Sequence, residues 1–334
     1  MLDRIRRALD DADDYVGRAG TSEGLYRFAA WSVRIRIAAA KRADGLLRMV
    51  EHRRMTESAA ADWEIVVIEG GHASLEPLRP PPGYDKRLVE ITSDHYYYWT
   101  PECSGSLTLV DRGRCRALLW YPLPGEIASW EFSKPFLHSI HALVLPTGWA
   151  PVHAAAVARN GAAILIAGHS KAGKTTTALV CAEAGWGYLS DDVVLVGGTP
   201  WRASGIYRSA RMREDMFAHL PQSMSAVTNI STDEGEVRAE VDVGKMGRIG
   251  VGDVEIRAIV LPQRAGAACA ALVPSRPSQA LRALATTSLL LAGGQTENFK
   301  KVTELVKAVP CYTFDPGPSM AGIPEALAGA LNCG

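Results

Sequence analysis

Apolar residues Leu25, Phe28, Ala29, Val33 and Ile37, then Leu46, Leu47 and Val50, recur at three- and four-residue steps, which predicts helix across residues 1 to about 55. Arg27, Arg34, Arg36, Lys41, Arg42, Arg48, Arg53 and Arg54 fall between them, as a solvated helix face or a docking surface for an acidic partner. From "DWEIVVIEGG" (62–71) the pattern turns to that of strands, with Pro80, Pro81, Pro82 and Gly83 expected as an exposed turn or linker. "HYYYWTPECSGSLTLVDRGRCRALLWYP" predicts a β-meander with a hairpin turn at Asp111 and Gly113, its aromatics Tyr96 to Trp99 serving in packing. Together these make a small N-terminal α+β domain over residues 1–130.

Residues 134 to 148 predict a helix stopped by Pro146 and Gly148. "VHAAAVARNGAAILIAG" then reads as a strand, a turn at Asn160 and Gly161, and a second apolar strand that runs into a glycine loop. "VVLVGG" and "VEIRAIVLPQR" are further strands, residues 278 to 308 are helical with a break near Gly293 and Gly294, and the polar segment 221–240 is expected as a mobile loop. Residues 131–334 thus form an α/β catalytic domain, and 334 residues suffice for two domains of this size.

The formal charge is zero, so the surface offers no general attraction to nucleic acid or to an anionic membrane. No run of about 18 apolar residues occurs and the N-terminus lacks a secretory pattern, so no membrane partner is expected and a cytoplasmic location is. The six cysteines show no metal-ligand spacing and are expected to be reduced thiols.

Gly168, His169, Ser170, Lys171, Ala172, Gly173, Lys174 and Thr175 match GxxxxGK[ST], after an apolar strand and before a helix-forming run, and Thr176 extends the set of candidate nucleotide-binding residues. Glycines let backbone N–H groups turn inward around phosphate, Lys174 reaches the β and γ phosphates, and the Thr175 hydroxyl can ligate Mg²⁺. A lysine at a helix start is otherwise disfavoured, which argues against an incidental glycine turn.

Asp191 and Asp192 follow at a distance that fits one helix and a return strand, so both should stand beside the loop. One carboxylate can hold Mg²⁺ while the other faces a nucleophile. No NKxD base-reading segment of the switch GTPases is found, and the double aspartate favours phosphoryl transfer over simple hydrolysis. His153 lies on the strand before the loop, either as a packed core histidine or beside the phosphates. Arg208, Arg211 and Arg213, with Lys245 as a weaker candidate, could bind the transferring phosphate or a substrate carboxylate, against the alternative of a solvated strand edge.

The stretch from His153 through "AGHSKAGKTTTALV" to "LSDDVVLV" resembles the core of the HPr serine kinase/phosphorylase family, whose catalytic domain is related to phosphoenolpyruvate carboxykinase. The resemblance implies a P-loop kinase fold with a mixed central sheet, with His153 as the active-site histidine, Lys174 and Thr175 as phosphate and Mg²⁺ residues, Asp191 as general base and Asp192 as the acid near the metal. It implies ATP, with GTP left open, and a serine hydroxyl on a peptide or small protein as acceptor. Oligomers are common among such relatives, so a homo-oligomer is the corresponding expectation. Lys171 stands where the family usually has glycine, Ala154 follows the histidine, Thr176 replaces an acid of the bifunctional enzymes, and the family's later glycine-rich signature is missing. Dephosphorylation and HPr itself as substrate are therefore not carried over. The layout is closer to kinases that modify ribosomally made peptides, such as those acting on a C-terminal serine of lasso peptide precursors. A kinase of a free serine-like metabolite and a non-catalytic nucleotide-dependent regulator are the alternatives.

Overall fold

The computed structural model describes all residues except 1, 19–20, 39–43, 57–58, 82–87, 93, 101–104, 124–126, 145–146, 234, 251, 289–294 and 333–334. The chain divides into two compact units, Met1–Pro146 and Thr147–Gly334, each of mixed α/β structure.

The first unit opens with α1 (Leu2–Arg18), β1 (Thr21–Phe28), β2 (Trp31–Ala38), the short α2 (Asp44–Leu47) and β3 (Trp63–Glu69). The meander follows as β4 (Leu88–Thr92), β5 (His95–Thr100), β6 (Ser106–Asp111) and β7 (Arg116–Tyr121), and then α3 (Ser129–Ser133) and α4 (Leu137–Val144). The sheet runs β1-β2-β3-β7-β6-β5-β4, parallel at β2–β3 and β3–β7. In α1, Ile5, Ala8, Leu9, Ala12 and Val16 form a buried stripe on a core that includes Val66, Ile68, Leu118 and Trp120. The unit extends past residue 130 because α4 packs on β6 and β7.

Helix over the whole of 1–55 is corrected by the structure: residues 21–38 form the β1–β2 hairpin. Val33, Ile35 and Ile37 alternate inward, whereas Arg34 and Arg36 face outward and pair with Glu23 and with Asp13 and Glu64. Period-two burial of β-branched residues outweighs the coincidental three- and four-residue steps. The turn expected at Pro80–Gly83 lies partly outside the described residues, as do Gly293 and Gly294.

The second unit begins with β8 (Ala150–Val152), β9 (Ala154–Arg159), β10 (Ala162–Ala167), α5 (Lys174–Glu183), β11 (Gly187–Ser190), β12 (Val194–Gly197) and β13 (Arg202–Gly205). Next come β14 (Ser209–Arg213), α6 (Pro221–Ser225), β15 (Val227–Asp233) and β16 (Glu236–Asp242). It ends with β17 (Asp253–Pro262), β18 (Ala271–Pro274), α7 (Pro277–Ser288), α8 (Gln295–Ala308), β19 (Cys311–Asp315) and α9 (Ile323–Asn332). The main sheet runs β11-β9-β10-β17-β13-β12-β8, with β19 joining β17 and β18. It is mixed: β10–β17 and β17–β19 are parallel, and β9–β10 is antiparallel across a turn at Asn160 and Gly161, both at positive φ. Residues of α5 and α9 pack with one of its faces and residues of α7 and α8 with the other, so β10, apolar along most of its length, is covered on both sides.

Residues 221–240 are not a loop. They form α6, β15 and most of β16, and the strands build a small sheet in the order β14-β16-β15. Ala210, Met212, Ala239 and Val241 bury one face of it in the core next to α5, which holds the segment in place.

Candidate active site

The loop between β10 and α5 is shaped by its glycines. A Cβ on Gly168 would stand 2.8 Å from that of Ala172, and Gly173 caps α5 at φ +99°, a backbone region costly for any other residue. Gly173 supplies no side-chain cap, and its carbonyl accepts from Thr177 N at 2.9 Å. The N–H groups that open α5 therefore face the cleft without intrahelical partners. Lys171 also takes a left-handed backbone, at φ +65°.

Lys174 is buried. Its Nζ donates to the carbonyls of Gly168 at 2.9 Å and His169 at 3.2 Å, which leaves one ammonium hydrogen for a ligand. Burial lowers its pKa and the Asp191 carboxylate opposes that shift. A buried cation at a helix N-terminus is doubly unfavourable, and an anionic ligand would relieve both costs.

The two aspartates are separated by backbone geometry. Val193 N donates to Asp191 O at 2.9 Å, Ser190 Oγ donates to Val193 O at 2.7 Å, and Asp192 adopts φ +73° in the tight turn so formed. Asp191 is buried, and both its carboxylate oxygens lie within hydrogen-bond distance of Thr175 Oγ1, at 3.0 and 2.9 Å. Asp192 instead meets His153 Nδ1 at 2.9 Å, with side chains 31% and 23% exposed. His153 lies in the break between β8 and β9.

These groups share one cleft of about 640 Å³. His153, Asp191, Asp192 and loop residues 169–176 line it, so the structure brings together almost all of the nucleotide-binding set expected from the sequence. Arg211 and Arg213 line it from β14. Arg208 does not: its guanidinium is committed to the fully buried Asp242, at 2.9 and 3.0 Å, and Asp242 also accepts from Gly244 N. The expectation that Arg208 binds substrate is corrected on that ground, and Lys245 is exposed and outside the cleft lining.

Sequence reasoning missed Arg238, which lines the cleft from β16. The signal was present in "EVRAEVD", where Glu236, Arg238, Glu240 and Asp242 alternate with Val237, Ala239 and Val241. Two further lining segments were also missed. They are Pro262, the last residue of β17, with Gln263 and Arg264 after it, and Pro316–Pro318 after β19. Asp315 joins these two segments by accepting from Ala265 N at 2.7 Å and Ala267 N at 3.0 Å, and these backbone donors, with Gly317 N, lower its pKa.

Among the described residues no group of three or more His, Cys, Asp or Glu side chains is placed to hold a metal by itself, and no helix is long and apolar enough to cross a membrane. No family model and no curated protein matches the chain. Solved structures that match include the HPr(Ser) kinase/phosphatase from Coxiella burnetii, with 11% identity over 55% of this chain and 93% of that chain and a TM-score of 0.30.

Proposed function

We propose that the second unit is a phosphotransferase that moves the γ-phosphoryl group of ATP onto a hydroxyl. The observation that carries this reading is the arrangement of two polar pairs, Thr175–Asp191 and His153–Asp192, in one cleft with the buried Lys174. Lys174 and the N-terminus of α5 hold the phosphates, which gives the third ammonium hydrogen an anionic acceptor.

Mg²⁺, when bound, supplies charge neutralisation between phosphate oxygens. Thr175 and Asp191 fit it: a hydroxyl and a buried carboxylate stand together beside the loop, a hard oxygen donor pair that would hold the ion together with phosphate. Resemblance at the sequence level assigns the base to Asp191 and the metal to Asp192. The contacts favour the exchanged roles, because Asp191 is engaged with Thr175 and Asp192 with the histidine.

In the reaction proposed, the acceptor oxygen forms a bond to Pγ as the bond from Pγ to the β-phosphate oxygen breaks. ADP leaves, and the hydroxyl proton passes to the His153–Asp192 pair. Asp192 orients the imidazole and stabilises its charged form. Arg211 and Arg213 serve an anionic part of the acceptor or the transferring group. The acceptor we expect is a serine of a peptide or small protein, a C-terminal serine of a peptide precursor included, and this choice rests on the sequence resemblance.

The test follows the label of γ-labelled ATP with Mg²⁺ into a pool of serine peptides and, separately, into free serine. Peptide phosphoserine supports the peptide kinase. Label in free serine alone replaces it with a metabolite kinase, and tight ATP binding without transfer to any hydroxyl replaces both with a nucleotide-dependent regulator.

A further inference from the structure

A second set of charges meets at the mouth of the glycine loop. Lys171 Nζ donates to Glu236 Oε1, and Arg238 Nη2 donates to Glu236 Oε2 at 2.8 Å. One carboxylate thus bridges a cation on the loop and a cation on the neighbouring small sheet. The two cations hold the Glu236 carboxyl down to about 2, so it stays ionised across the working pH range.

Four features favour reading this bridge as a substitute rather than a clamp. The pairs are partly exposed, and exposed ion pairs of this kind contribute little stability, so the carboxylate is easily displaced. Arg238 stands directly opposite Arg213 in the β14–β16 register, a like-charge pairing in which each guanidinium relies on a nearby carboxylate, Glu236 for Arg238 and Asp215 for Arg213. Nε of Arg238 is enclosed and meets no acceptor among the described residues. A left-handed turn such as that at residue 171 is least costly for glycine, yet this chain carries a lysine there, aimed across the loop.

Resting on the kinase reading above, we propose that Lys171 and Arg238 bind the terminal phosphoryl group of the nucleotide, and that Glu236 stands in for that group until the nucleotide displaces it. A carboxylate presents two oxygens to the two cations, and a phosphoryl group presents three with more charge. Exchange therefore keeps both contacts and offers a third oxygen to a further N–H of the Arg238 guanidinium. Lys174 and the start of α5 also meet the phosphates that ATP and ADP share, whereas Lys171 and Arg238 meet the terminal group alone, so this outer pair distinguishes ATP from ADP.

Calorimetric titration of the full chain with ATP and with ADP, in Mg²⁺ and without acceptor, tests this. Wild type should prefer ATP. Glu236→Gln should bind ATP about two- to fivefold tighter with ADP unchanged, since a weak exposed competitor is removed. Arg238→Ala should lose about tenfold or more for ATP and stay within about twofold for ADP, and Arg238→Lys should recover part of the loss. A thermal melt of each variant shows whether the fold is kept. If Glu236→Gln and Arg238→Ala change ATP and ADP affinity alike, or only lower the melting temperature, the stand-in role is overturned while the kinase reading survives. If wild type binds neither nucleotide, both fall.

Discussion

Replacing Asp192 with asparagine removes one charge and keeps the shape of the side chain. Asparagine also tolerates the φ of +73° at this position better than other non-glycine residues, so the turn after β11 should survive. What is lost is the carboxylate that meets His153 Nδ1 at 2.9 Å. In a fully buried histidine–aspartate dyad the same change costs about 10⁴-fold in turnover, because the histidine is held in the wrong tautomer. Here the side chains are 23% and 31% exposed, so solvent screens part of the coupling. A fall of about 10²- to 10³-fold in kcat is expected, equivalent to roughly 3–4 kcal/mol of barrier. The assay is steady-state phosphoryl transfer to the best acceptor from the peptide and serine panel, with KM for ATP measured in parallel. Asp192→Asn should leave that KM within about twofold. Asp191→Asn should instead raise the Mg²⁺ concentration needed for half-maximal rate, as expected for a metal-side carboxylate. A kcat for Asp192→Asn within about twofold of wild type, or a purely Mg²⁺-dependent defect in that variant, would refute the exchanged roles.

The lowered pKa of Lys174 has a thermodynamic consequence: the folded value lies below 10.5, so between the two values the unfolded chain binds more protons, and the nucleotide-free protein gains stability as pH rises through that window. Lys174→Met should lack this gain, seen as a melting-temperature difference between variant and wild type that changes as pH rises towards 10.5, and a constant difference would contradict the desolvated ammonium. Leu9→Ala empties a fully buried position on the apolar stripe of α1 and should cost about 2–4 kcal/mol in urea unfolding, whereas a loss under about 1 kcal/mol would mean that α1 is not seated on the sheet.

What could be read from the sequence was local. The β9 turn at Asn160 and Gly161, the run from β10 into the glycine loop, and the aspartates after β11 each depend on a few adjacent residues whose backbone needs are specific. The exchange of the aspartate contacts was hidden because it depends on the backbone turn at Asp192, which two identical side chains do not announce. Arg208, Arg211 and Arg213 look alike in sequence, yet a buried Asp242 on another strand takes the first out of the cleft. Segment 221–240 reads as a loop because its many polar residues suggest a lack of core anchors. Its alternation puts Ala239 and Val241 in the core, while Glu236 and Arg238 meet at the loop mouth, so polarity there marks a site face.

The central claim is transfer of the γ-phosphoryl group to a hydroxyl, and a single-turnover quench experiment with γ-labelled ATP, Mg²⁺ and the serine peptide pool tests it most directly. Label should appear in an acid-stable phosphoester as ADP forms in equal amount, and Lys174→Met should form neither. ADP with free phosphate alone, or bound ATP that never turns over, would contradict it.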